Sequence, residues 1–190
     1  MPNAATLTGT EIVPLVQSGA NVKSTIANIN QYTLGALFNR GAFQSTVTQT
    51  GSITAGTPFT FNQTDVADGV TLVSGSRLTA PVSGVYNIQF SAQFQNTDNA
   101  QNNATVWIRI NGVDVAGSAG VVTLSQRKSA LIPASTIAGW NYFIQLTAGQ
   151  YVEIVWLPES TLLTAPAIPA SVSPAYPAAA SIIVTVCQVG

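Results

Sequence analysis

Three features of this sequence predict an all-β protein, a jelly-roll β-sandwich preceded by a short N-terminal arm. The stretch 77–95, RLTAPVSGVYNIQFSAQFQ, places Tyr86, Ile88, Phe90, Ala92 and Phe94 on one face. Asn87, Gln89, Ser91, Gln93 and Gln95 fall on the other, the period-2 signature of a half-buried strand. Beyond Gly41 the chain is a series of short apolar runs broken by turn signals, with no alternation of strands and helices. Residues 1 to about 40 differ in character and are too short to hold a core of their own.

The 190 residues suit one domain plus an arm, with hydrophobic residues at 46% and a mean hydropathy of +0.32. No apolar run approaches the roughly 18 residues of a membrane-spanning helix, so no membrane insertion is expected. Residues 1–10 have neither the basic start nor the apolar centre of a signal peptide. Charge is scarce, 7% of residues for a net −1, and six Lys and Arg scattered from Lys23 to Lys128 form no basic patch for nucleic acid. Such a neutral surface suits a protein packed beside copies of itself, where unpaired charges are costly to bury. Cys187 is alone, which excludes an intrachain disulfide.

In the arm, Glu11, Ile12, Val13, Leu15 and Val16 form an apolar run around Pro14. A turn at 17–20 and a return over 21–26 make a hairpin, with Pro14 on an edge. Ser24 or Thr25 caps a short helix through Ile26, Ile29, Tyr32 and Leu34, ending near Gly35. In the domain, 41–190, strands are expected over 42–48, 57–61, 70–74, 77–79 and the long run ending at Gln95. Residues 62–69 and 96–103 read as loops, the second without an apolar anchor. The strand 104–111 turns Val106, Ile108 and Ile110 inward and Trp107 and Arg109 outward, and Asn111-Gly112 signals a type I′ hairpin to 113–115. Short strands follow at 121–124 and 129–132, then 140–146 and 151–157 as a hairpin about 147–150, and 181–189 as the last strand. Pro158, Pro166, Pro169, Pro174 and Pro177 make 158–180 a long loop.

The strand 151–157 is apolar on both faces: Val152, Ile154 and Trp156 on one, Tyr151, Val155 and Leu157 on the other. One face of a sandwich strand suffices for the core. The second face, with Tyr142 or Phe143 beside it, is therefore assigned to a symmetry mate.

Catalytic chemistry finds little footing. There is no histidine, which removes Ser-His-Asp and Cys-His catalysis and the usual zinc sites. Cys187 on a strand reads as a small buried hydrophobe. Asp65, Asp68 and Asp98 are oxygen ligands suited to calcium, but turn-forming aspartates explain them better. Glu153 and Glu159 read as rim carboxylates rather than a glycosidase pair. Trp107 beside Arg109 on an outward face offers a stacking surface for a sugar or base, with interface packing as the competing account. No cofactor, metal or enzymatic activity is expected.

At 79–94, TAPVSGVYNIQFSAQF, the chain resembles the C1q/TNF-like jelly roll, with Leu78 and Ile88 where that family often has aromatics. WIRINGV at 107–113 and LTAGQYVEIVW at 146–156 resemble its next strand and a later one, Gln150 standing where Asp is usual. The resemblance implies a compact trimer. Residues 7–29, LTGTEIVPLVQSGANVKSTIANI, resemble a segment near the start of tailed-phage virion proteins, and PAYPAAASIIVTVCQVG resembles the ending of phage jelly-roll structural proteins. These resemblances imply a virion component: a homotrimeric capsid decoration or cement protein attached through its arm to other virion proteins. The alternative is a fibre or appendage tip that reads a host surface glycan or protein through the loops 96–103 and 165–176. The absence of heptads and Gly-X-Y repeats favours the squat ornament.

Overall fold

A computed structural model of the chain describes residues 10, 12–29 and 39–190. The chain divides into two compact units, Met1–Phe38 and Asn39–Gly190.

In the first unit β1 (Ile12–Gln17) and β2 (Ala20–Thr25) pair antiparallel, Pro14 opposite Lys23. Ser18 and Gly19 carry φ of 53° and 79°, the two positive values that a type I′ turn requires. Residues 26–29 are helical, and the Thr25 hydroxyl accepts the Asn28 N–H at 3.1 Å, an N-terminal cap. Glu11 and the expected continuation of the helix through Tyr32 to Gly35 lie outside the described residues.

The second unit is the expected jelly-roll sandwich. One sheet holds β3 (Arg40–Ser45), β4 (Gln49–Thr50), β6 (Gln63–Asp68), β9 (Gly84–Asn96), β13 (Ala134–Leu146), β15 (Leu163–Ala165) and β18 (Ile182–Gln188). The other holds β5 (Thr57–Pro58), β7 (Thr71–Val73), β8 (Arg77–Thr79), β10 (Asn102–Ile110), β11 (Val113–Asp114), β12 (Gly120–Leu124) and β14 (Tyr151–Pro158). A small hairpin, β16 (Ser171–Val172) with β17 (Ala175–Tyr176), stands apart.

The long strand is the axis of the first sheet. β13 pairs with β9 from Leu146↔Gly84 to Ala134↔Asn96, while β18 and β15 share its other side end to end. Its inward face buries Tyr86, Ile88, Phe90, Ala92 and Phe94, as the alternation predicts. These meet Val106, Ile108, Val152, Ile154 and Trp156 from the second sheet in one core. Phe59 stacks on Trp156 at 5.2 Å, with Phe94 tilted against both. Asn111 and Gly112 carry φ of 48° and 81°, the expected I′ pair.

Several expectations need correction. Residues 62–69 contain the strand β6, exposed at every position and held by edge pairing to β3 alone. With neither face buried it shows no hydrophobic alternation, and its Asp65 and Asp68 are the charges an edge strand uses against further pairing. Residues 147–150 do not close a hairpin: β13 pairs with β9 and β14 with β10, so the turn crosses between sheets. β13 starts at Ala134, six residues before Trp140, because the polar half of that strand still completes the β9 ladder. Residues 129–132 form one bridge rather than a strand. The proline-rich segment carries β15, β16 and β17, its prolines falling at strand ends or between strands. Gly84, at the start of β9, is a glycine whose φ is not positive. It is small because a Cβ there would strike the Gly190 carbonyl oxygen. Gly84→Val is expected to lower the melting temperature by several degrees, read by circular dichroism, while Gly149→Val, with open space at positive φ, costs only backbone strain.

Candidate functional site

The outer faces of the two sheets differ sharply in chemistry. On the second sheet, Arg109 lies opposite Glu153 across the β10–β14 ladder, and Trp107 opposite Val155. Asp114 Oδ1 accepts hydrogen bonds from Trp107 Nε1 at 2.7 Å and Arg109 Nε at 2.8 Å. The Arg109 hydrogen bond, then that of Trp107, holds the Asp114 carboxyl below the usual carboxylate range. Glu153 is buried, accepts the Ser76 hydroxyl at 2.7 Å and lies 3.9 Å from Arg77 Nε. The Arg77 guanidinium sits 4.7 Å above the Tyr151 ring.

This arrangement bears on two sequence expectations. Gly56 lies so close to the Trp107 ring and to Val155 that any side chain there would overlap both. The loop between β4 and β5 thus packs against the Trp107 ring, for which the sequence offers both a stacking surface for a sugar or base and interface packing, and Arg109 is engaged by Asp114. Val155 is 0% exposed in the single chain, so the second face of β14 is covered from within and not by a symmetry mate. Tyr151 and Leu157 are half-buried beside it. Tyr142 turns inward from β13, with its hydroxyl donating to the Ser118 carbonyl at 2.7 Å, and burial pushes that hydroxyl's pKa up. Of the five residues assigned to the interface, only Phe143 stands on an open face, and it belongs to the first sheet.

That face is the notable one. The registers line up Phe143, Asn87 and Cys187 in one row, Asn141, Gln89 and Thr185 in the next, then Gly139, Ser91 and Ile183. Ile137, opposite Gln93, extends it. Phe143 is 67% exposed, Ile137 62% and Ile183 45%. β9, β13 and β18 contain no Asp, Glu, Lys or Arg. A hollow of about 220 Å³ opens among Gln89, Phe90, Ser91, Ile183 and Thr185. Cys187 is exposed on this face, not buried as expected, because its position in β18 points outward. The signal in the sequence was the absence of charge from 129 to 152 and again from 160 to 190.

The carboxylates considered as ligands or catalysts are engaged with protein groups. Gln44 Nε2 donates to both Asp65 oxygens at 2.8 and 2.9 Å, and Asp68 pairs with Arg40 at 3.4 Å. Asp98 accepts hydrogen bonds from Asn102, the Asn99 backbone and Ser160, and the Asn102 bond leads in holding its carboxyl below the usual range. Glu159 accepts from the Asn103 N–H at 2.8 Å and side-chain amide at 3.0 Å, far along the sheet from Glu153. Among the described residues no three His, Cys, Asp or Glu side chains gather as a metal site.

The register also orients the sandwich. Arg40, Gly84, Leu146 and Gln188 lie toward one end, and Ser45, Asn96 and Ala134 toward the other. Loops 97–101, 125–133 and 159–162 gather at this second end, away from Asn39, where the unit begins. Loop 97–101 is anchored by polar groups rather than apolar ones: the buried Asn96 amide donates to the Ala100 and Ser125 carbonyls, each at 2.9 Å.

No family model matches the chain, and no curated protein does. Among solved structures, the chain is similar to the globular domain of zebrafish complement 1qA protein. The TM-score is 0.45 at 13% identity, over 80% of this chain and 98% of that one.

Proposed function

We propose that this chain is a non-enzymatic virion structural protein, a homotrimeric jelly-roll ornament held to the particle by its N-terminal hairpin. The observation that carries the reading is the charge-free outer face of β9, β13 and β18, with Phe143, Ile137 and Ile183 uncovered on it. A lone chain gains nothing from exposing aromatic and aliphatic groups in one neutral patch, whereas an oligomer buries them without desolvating an ion. The hollow at Gln89, Ser91 and Ile183 gives a neighbouring side chain a place to seat. Three-fold closure comes from the C1q/TNF-like resemblance, and the virion setting from the resemblances at 7–29 and 174–190. The arm supports attachment, since Ile12, Leu15 and Val16 are exposed on a hairpin too small to bury them.

Labelling the protein on purified particles tests this reading. Many copies over the head are expected, a few at the tail would support the receptor-binding alternative, and none would overturn both. A chain starting at Asn39 is expected to fold with a melting temperature within a few degrees of the full chain, yet to be missing from particles. Aggregation or a far lower melting temperature would show that the arm belongs to the core.

A further inference from the structure

A sheet edge is a row of N–H and C=O groups open to a further strand, and proteins guard it with charge, proline, bulges or brevity. Here β6 carries Asp65 and Asp68, while β4, β7 and β11 have two or three residues each. β13 has none of these guards. Its 13 residues include no charge and no proline, and its ladder to β9 runs without a bulge. Among the described residues no strand pairs with its other side. The nearby Gly120 of β12 belongs to the second sheet and meets the Trp140 ring, on the core side.

The hydrogen bonds of β9 show which residues of β13 face that edge. The Val85 carbonyl accepts from the Val189 N–H, and the Gln93 N–H donates to the Ser181 carbonyl, each at 2.8 Å. Backbone direction alternates along a strand, so odd-numbered residues of β9 bond toward β18 and even-numbered ones toward β13. The register sets Ile88 opposite Tyr142 and Phe90 opposite Trp140, so the even-numbered residues of β13 bond to β9. Ser135, Ile137, Gly139, Asn141, Phe143 and Gln145 therefore aim their N–H and C=O groups outward, and each of them is exposed.

From this edge we infer that β13 of one copy pairs antiparallel with β13 of a second copy, joining two first sheets into one. The two-fold axis falls at Trp140. Ile137 then lies opposite Phe143, a β-branched group against an aromatic, and Ser135 opposite Gln145, with both N–H and C=O of each offered to the ladder. Arg127 and Lys128, which precede β13, come to lie beyond the partner's Leu146, where residues 147–150 carry no charge to repel them. The unpaired backbone groups select a strand as the occupant, and the two-fold match of side chains selects a second copy. Two edges share only a narrow seam, so the pairing is weak and concentration-dependent. It does not rest on the three-fold contact, since it joins whatever assembly the chain forms to a like one.

Amide hydrogen exchange of the full chain tests it, read by mass spectrometry on peptides within 134–146 at low and high protein concentration. The outward amides are expected to exchange fast in dilute solution and to slow by about tenfold or more on concentration, as light scattering shows the mass double. A peptide over 63–68, an edge guarded by aspartates, should not change. Asn141→Pro removes one outward donor, a change an edge strand accepts, and should abolish both the slowing and the doubling. Circular dichroism checks its fold. Should it unfold, Asn141→Lys, which sets two like charges beside the axis at an exposed position, is expected to abolish the slowing instead. Doubling without slowing, slowing that survives in a folded variant, or outward amides indifferent to concentration would each overturn the inference. Loss of the trimer alone leaves the slowing in place, which separates this edge from the charge-free face.

Discussion

Phe90→Ala is expected to lower the unfolding free energy by ~3–5 kcal/mol, and Gln89→Ala by less than about 0.5 kcal/mol. Phe90 is 2% exposed and sits between Trp140 and Val184 on the neighbouring strands, its ring 5.3 Å from that of Trp140. Truncating it removes the transfer free energy of a full aromatic and leaves a cavity that three ladder-bound strands cannot close. Gln89, one residue earlier, points to the open face and makes no described side-chain bond that alanine would break. Chemical denaturation with unchanged m-values reads both changes. Equal losses would mean that the face assigned to the core is wrong.

That assignment was legible because β9 is buried on one face only, so each residue type reports its side. β10 and the Asn111-Gly112 turn were legible for similar reasons, one through period 2 and the other because few residue pairs accept two positive φ values. β6 was not, since a strand exposed on both faces leaves no apolar pattern. The partners of β13 and β14 were not either: a four-residue turn serves a hairpin and a sheet crossover equally well, and only long-range pairing decides between them.

The candidate site was misplaced for a related reason. The strand β14 is apolar on both faces and needs cover on both, and the sequence assigns the second to a symmetry mate. On the Val155 face that cover comes from the loop between β4 and β5, where Gly56 lies against Trp107 and Val155. A glycine in a mostly polar stretch gives no hint that its backbone packs against a tryptophan and a valine. Phe143 was found, but the face it belongs to is composed of Asn, Gln, Ser and Thr as much as of apolar groups, and hydropathy alone does not mark it.

Placing a carboxylate on that face should have the second large effect. Phe143→Asp or Ile183→Asp puts a charge at the centre of the neutral patch, with no cation on β9, β13 or β18 to meet it. Desolvating an unpaired carboxylate costs several kcal/mol, and a symmetric assembly meets that cost once per copy. Against it, a standard interface of about 800 Å² per partner contributes at most ~25 cal/mol per Å² of apolar area before association entropy is counted. Each variant is expected to remain folded, since both side chains are exposed in the single chain, and to lose assembly. Val155→Asp, by contrast, should fail to fold, because Val155 is buried within the chain.

The most direct test is the mass of the unaltered chain in solution, by light scattering across a wide concentration range. The trimer requires 59.1 kDa, three times the 19.7 kDa of one chain, with Phe143→Asp falling toward the single-chain value. A protein that stays at 19.7 kDa and soluble at high concentration would contradict the assignment of the charge-free face to a partner copy.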